Sequence, residues 1–383
     1  MLIHIYKQKA FRKLSIAYLG DSHSQLISKF SFEFVPNSNS SESTLYLLGS
    51  SNGLILCSKN TTHFVCNPLT EKWIQLPPTP HQFDIEKHET LTGFECDCSA
   101  LPTRFKVVRI TSWQEEVNKF NIQVFSSDLG RWSFYEVFCP VGETLTFPVY
   151  GSLRFPPRGA DRLPTDAVII HRNVLYWMGW YGRIVVYNLD EMNCEFRLIE
   201  LPDRGVCFTR CLGVSNGSIF YARLKRTEET LCVFVLQEGN FHLLHGSIDL
   251  HDLFAEMNTK LTANLGIRWA DLIKVFGFNP VDSNVVTIGC RNYIWAYNIE
   301  TRKYDELCHP SSPGNEHSAA DFVYLPLLLK PMPTVLPPRS CLALTMHFYI
   351  VILRKSYMAQ PSGFIYPGMY VNCISPFMDL SKL

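Results

Sequence analysis

From about residue 44 to about residue 310 the chain alternates short apolar runs with punctuation by Gly, Asn, Asp and Pro, and few stretches hold a helical period long enough to matter. The clearest runs lie at 44–48, 53–57, 63–66, 72–76, 105–110, 121–126 and 132–136, and again at 167–170, 174–177, 183–188, 195–200, 211–214, 218–221 and 231–236. They are rich in Val, Ile, Phe and Tyr, side chains that fit a pleated, half-buried surface. The section is therefore predicted to be nearly all-β, and strands this short and this numerous leave sandwich, barrel and propeller open.

Internal repetition decides among the three. Five stretches, 51–77, 120–137, 172–202, 215–244 and 283–307, share one order: a pair of apolar strands, a strand ending in Asn or Asp, a polar turn, then an aromatic strand. The turns Asn67-Pro68, Ser127-Asp128-Leu129-Gly130, Asn188-Leu189-Asp190 and Asn298-Ile299-Glu300 carry side chains that bond nearby backbone and reverse the chain. Trp73, Trp132, Phe196, Phe241 and Tyr304 follow and are expected to pack between neighbouring sheets. Units spaced by roughly 40–60 residues fit four-stranded blades set radially, so the prediction is an irregular β-propeller.

One stretch breaks the pattern. Residues 247–272 place Leu250, Leu253, Phe254 and Met257 at helix-compatible spacing, which predicts a short helical or irregular insertion. The Pro-rich segments 77–92 and 151–164 read as long loops on a rigid scaffold, where binding usually sits. Trp, Tyr and Arg dominate binding hot spots, so the candidate contact residues in the loops are Arg158, Trp180, Tyr181, Arg183, Arg268 and Trp269.

Composition narrows the partners. Lys plus Arg equals Asp plus Glu at 35 each, so no global charge draws the chain to nucleic acid or to an anionic membrane. Thirteen cysteines are an odd number at irregular spacing in a chain too large to need staples, and they read as mostly buried thiols. The opening MLIHIYKQKAFRK lacks the apolar core and cleavage site of a secretory signal, so a cytoplasmic or nuclear location is expected. The apolar run 341–353 is shorter than the 20 or so residues of a membrane span.

Candidate chemistry is sparse. Cys96 with Cys98, Cys207 with Cys211, and Cys308 with His309 lack the paired spacing of zinc ligands. Neither a GxSxG elbow, an HExxH helix nor a GxxxxGK[ST] loop occurs. Asp166, Asp190, Asp282 and Asp321 sit at or near strand ends and read as turn and cap residues. The expectation is a binding protein without catalytic residues, metal or cofactor.

Residues 49–80, GSSNGLILCSKNTTHFVCNPLTEKWIQLPPTP, resemble the opening blade of the plant F-box-associated domain, a kelch-like propeller, through its SCNGLLL run, its CNP-T turn and its W-LP-P ending. Asn52, Gly53, Cys66, Asn67, Pro68, Trp73 and Pro77 carry the match. Weaker resemblance continues through Val186-Tyr187-Asn188, Trp295-Ala296-Tyr297-Asn298 and the closing 322–328. The resemblance implies a propeller that holds an unknown target protein while a preceding F-box docks the Skp adaptor of a cullin-based ubiquitin ligase. It divides the chain into an N-terminal link at 1–43, a propeller at 44–338 and an atypical tail at 339–383. The first 43 residues lack the Leu-Pro opening and paired-leucine helix of an F-box, so that element is expected to be lost or to lie upstream of the start given. The implied role is substrate recognition for an SCF-type E3 ligase. Two alternatives stand: a scaffold or decoy without ligase access, and a glycan-binding or glycan-cleaving propeller.

Overall fold

The structure is a computed structural model that describes residues 2–8, 14–18, 35, 45–59, 62–79, 91–100, 103–111, 116–117, 119–140, 145–146, 168–178, 182–190, 196–202, 209–265, 273–290, 293–308, 322–328 and 336. Two strands, β1 (Leu2–Gln8) and β2 (Leu14–Tyr18), precede the repeats. Blade 1 is the antiparallel meander β3 (Leu45–Ser51), β4 (Leu54–Lys59), β5 (Thr62–Asn67) and β6 (Lys72–Gln75). Blade 2 is β7 (Leu91–Asp97), β8 (Arg104–Thr111), β10 (Lys119–Ser126) and β11 (Arg131–Phe138); the short β9 (Glu116–Val117) and β12 (Leu145–Thr146) pair beside it. Blade 3 is β13 (Val168–His171), β14 (Val174–Met178), β15 (Arg183–Asn188) and β16 (Arg197–Glu200).

Blade 4 is β17 (Thr209–Ser215), β18 (Ser218–Lys225), β19 (Thr230–Gln237) and β20 (Asn240–Asp249), followed by helix α1 (His251–Leu265). Blade 5 is β21 (Lys274–Asn279), β22 (Asp282–Cys290), β23 (Tyr293–Asn298) and β24 (Tyr304–Cys308). The last strand, β25 (Phe322–Leu328), pairs antiparallel with β1, and β1 with β2. The first strand of each blade touches the first strand of the next, and β25 touches both β21 and β3. The fold is thus a β-propeller of five four-stranded blades, with a three-stranded sheet built from both ends of the described chain filling the gap between blades 5 and 1.

Strand alternation sends one face of each blade into the next. Leu56, Val65, Val107 and Trp132 share a core between blades 1 and 2; Val108, Phe120, Trp177 and Phe196 share one between blades 2 and 3. Met178, Ile184, Tyr221 and Phe234 fill the space between blades 3 and 4. Between blades 4 and 5 the helix adds Leu253, Phe254 and Met257 beside Leu250, all at most 1% exposed. Burying such side chains contributes about 1.5–3 kcal/mol each, which is why a helix is retained in an otherwise β chain. Asp249 accepts the His251 N–H at 2.9 Å to cap its first turn.

The first strands converge on the axis and need small residues there. A Cβ at Gly93 would stand 2.8 Å from Val168 Cγ1 and 3.1 Å from Ile170 Cγ1, and one at Gly213 would stand 2.7 Å from Phe278 Cδ2. Glycine lets adjacent blades approach where the ring is narrowest.

Candidate functional site

Because the strands within a blade are antiparallel, the first-to-second and third-to-fourth hairpins open on one rim of the ring. The second-to-third turns and the blade-to-blade connections open on the other. The two are called here the turn rim and the loop rim.

At the turn rim the sequence dictates tight reversals. Asn52-Gly53, Arg172-Asn173 and Asn216-Gly217 each have two successive positive φ values, between 46° and 85°, as a two-residue type I′ hairpin requires. Each turn is tied to the next blade. Asn52 Nδ2 donates to the Cys96 carbonyl at 2.6 Å, and the Cys96 N–H donates to Ser51 Oγ at 3.0 Å. The Glu95 carboxylate accepts the Arg172 and Asn173 N–H groups at 2.7 and 3.3 Å. His171 Nε2 meets the Gly217 carbonyl at 3.0 Å. The Asn216 N–H donates to the Pro280 carbonyl at 2.9 Å, and Ser215 Oγ donates to the Asn279 carbonyl at 2.6 Å.

The residues that carry the family resemblance serve this architecture. Asn67 Oδ1 accepts the Leu69 and Thr70 N–H groups at 2.9 and 3.2 Å, closing the turn that contains Pro68. Trp73 stands edge-on to Phe64 at 5.8 Å. The Pro77 carbonyl accepts Trp132 Nε1 at 2.9 Å, joining the end of blade 1 to blade 2. Cys66 and Cys57 are buried with sulfurs 3.4 Å apart, and that contact pushes the Cys66 thiol well up. Asn188 and Asn298 close their turns as Asn67 does, through the Asp190 and Thr301 N–H groups. Ser127 differs: its Oγ accepts the Phe105 N–H at 2.9 Å, from the neighbouring strand of the same blade.

Of the predicted contact residues, Arg183 lies at the opposite rim. Arg158, Trp180, Tyr181, Arg268 and Trp269 lie outside the described residues. The strand ends that bracket them, Phe138 and Val168, Met178 and Arg183, Asp249 and Lys274, all open on the loop rim. Arg183, the one described member, begins β15 and donates from Nε to Glu200 Oε1 at 2.8 Å, with the two side chains 31% and 46% exposed.

A polar group that periodicity alone does not reveal sits beneath this rim. The alternation that sends Val107 into the core between blades 1 and 2 sends Arg109 the same way, and Leu56 and Val65 bring Ser58 and His63 to meet it. Ser58 and Arg109 are 1% exposed and His63 4%. Arg109 Nη1 donates to Gln123 Oε1 at 3.3 Å, while its Nε has no hydrogen-bond partner. Burial, then the neighbouring Arg109 charge, hold His63 down at about 4, so its imidazole is neutral. Burial also lowers Arg109. Lys59, the last residue of β4, and Lys274, the first of β21, are buried at the same rim. Among the described residues these three cations are the buried charges, and no Asp or Glu joins them.

Among the described residues no group of three His, Cys, Asp or Glu side chains could hold a metal ion, and no helix is long and apolar enough to cross a membrane. Asp190 accepts Lys106 Nζ at 3.1 Å and Asp282 accepts the Asn284 N–H at 3.0 Å.

The family described as "F-box protein At3g26010-like, beta-propeller" matches residues 11–323. Among similar Arabidopsis thaliana proteins, the putative F-box/kelch-repeat protein At4g22430 is 24% identical over 291 residues, covering 72% of this chain and 62% of the relative. F-box protein At3g26010 is 28% identical over 191 residues, 46% of this chain and 40% of the relative. F-box protein At5g03970 is 23% identical over 280 residues, 68% of this chain and 58% of the relative. The chain thus spans less than two thirds of the length of these relatives.

Proposed function

This chain belongs to the F-box protein At3g26010-like β-propeller family, and from that premise we propose that it is the substrate-recognition part of an SCF-type (Skp-cullin-F-box) E3 ubiquitin ligase, holding a target protein on its loop rim. The observation that favours this reading is the difference between the rims. Turns tied blade to blade leave the turn rim little freedom, whereas the connections that can vary in length and sequence gather on the other side. Recognition then rests on side chains around Arg183 and its neighbouring connections, with no catalytic residue in this chain, in the cytoplasm or nucleus.

The ligase half is tested by co-expressing the chain with a Skp adaptor, beside the same chain carrying an added F-box. Capture by the native chain supports ligase recruitment in cis. Capture by the fusion alone leaves a target-binding propeller that either has no ligase access or docks its adaptor through a segment upstream of the start given. The orientation is tested by cross-linking to a captured target. Cross-links are expected near residues 59–62, 178–183 and 225–230; cross-links at 52–53, 172–173 and 216–217 instead would reverse the assignment of the rims.

A further inference from the structure

We propose that the loop rim contains an acid-binding point between blades 1 and 2, where the Arg109 guanidinium receives a carboxylate of the target protein. This rests on the target-binding reading above and specifies its chemistry. A guanidinium taken out of water is costly unless paired with an anion. Arg109 is 1% exposed, has one long bond to a neutral amide, and keeps Nε without an acceptor.

Among the described residues none beside it supplies a counter-charge. Ser58 and Gln123 are neutral, and His63 stays uncharged because burial and Arg109 both oppose its protonation. No buried Asp or Glu occurs among the described residues. Trp132, 6.2 Å from His63 and 5.4 Å from Phe125, walls the group with aromatic surface that strengthens an ion pair formed there. Arg109 lies two residues before the rim end of β8, and the chain leaving β6 crosses above His63 through the bond from the Leu76 N–H to the His63 carbonyl. A carboxylate reaching the guanidinium from the rim end of β8 would be held by its fork of N–H donors, which matches carboxylate geometry.

The test uses the full chain and two fluorescein-labelled peptides, one alternating Glu with Gly and its Gln counterpart, read by fluorescence anisotropy. The Glu peptide is expected to bind and the Gln peptide not. Arg109→Met, which keeps the length and removes the charge, should weaken binding by at least roughly tenfold, and Arg109→Lys should restore part of it. Thermal melting of both variants establishes that they remain folded. Absence of Glu-peptide binding to the native chain, or equal binding to Arg109→Met, overturns the proposal. So does a double-mutant cycle in which Asp84→Asn, Glu86→Gln or Glu89→Gln destabilises the native chain but not Arg109→Met, because the partner is then internal. The two readings fail separately. Target capture undiminished by Arg109→Met removes the acid-binding point alone, whereas failure to capture a Skp adaptor bears on ligase access alone.

Discussion

At the turn rim, four of the five first hairpins reverse the chain in two residues, and bonds from Ser51, Asn52, Glu95, His171, Ser215 and Asn216 link each blade to the next. At the loop rim, the same blades are joined by connections running over residues 76–90, 139–167, 201–208, 250–273 and 309–321. Buried cations lie at their base. The turn rim uses its polar groups to join blade to blade, whereas at the loop rim Arg109 keeps a buried Nε without an acceptor. At the loop rim one such bond is also present, from Thr209 Oγ1 to the Ile273 carbonyl at 3.1 Å, but the hairpins that tie successive blades together lie on the turn rim, so a change in the loop-rim connections leaves them in place.

Acid should break this arrangement first, and from the loop-rim side. His63 titrates at about 4 when folded, against 6.5 for an ordinary histidine, so the unfolded chain takes up a proton that the folded chain refuses. The unfolded state binds more protons between those values, and stability therefore falls as pH drops from 6.5 to 4. The loss amounts to about 3 kcal/mol, and urea unfolding at stepped pH should show it in the native chain and not in His63→Gln. The next largest effect belongs to the axis. Gly93→Ala places a Cβ against Val168 and Ile170 and should lower the urea-derived stability by about 2 kcal/mol. At the turn rim, Gly217→Ala meets only an ordinary contact with Arg172 but must hold φ at +71°, a cost of about 1 kcal/mol in the same measurement. The smallest change in stability is expected at the loop rim surface. Arg183→Ala breaks a partly exposed pair with Glu200 and should move stability by no more than about 0.5 kcal/mol, while reducing target capture. A stability loss at Arg183 as large as at Gly93 would erase the distinction between the rims.

Much of this was legible in the sequence, for local reasons. Strands β3 to β6 announce themselves through dense apolar runs and through Asn-Gly and Asn-Pro turns, whose chemistry fixes the reversal without help from distant residues. The aromatic residues Trp132 and Phe196 were expected between sheets and pack against Phe125 and Phe120 from there. Helix α1 follows from the spacing of Leu250, Leu253, Phe254 and Met257. Less visible were β7, whose Gly93 and Glu95 dilute its apolar pattern because one meets the next blade and the other bonds its turn. Arg109 was missed because a charge within RFKVVRIT reads as an outward position, while pairing and alternation turn it inward. The contact residues Arg158, Trp180, Tyr181, Arg268 and Trp269 were chosen by residue type alone, and they lie outside the described residues.

The pairing of β1 with β25 also sets a schedule for biosynthesis. β1 and β2 leave the ribosome roughly 300 residues before β25, the partner of β1, is translated. At 5–20 residues per second that interval lasts about 15–60 s. Throughout it, β1 lacks the neighbour that completes its hydrogen bonding, and blades 1 and 5 have no sheet between them. A ribosome stalled before residue 322 would hold an open arc with strand edges exposed to other nascent chains. The interval calls for a chaperone, and it makes a premature stop just before β25 as damaging as one within the first blade.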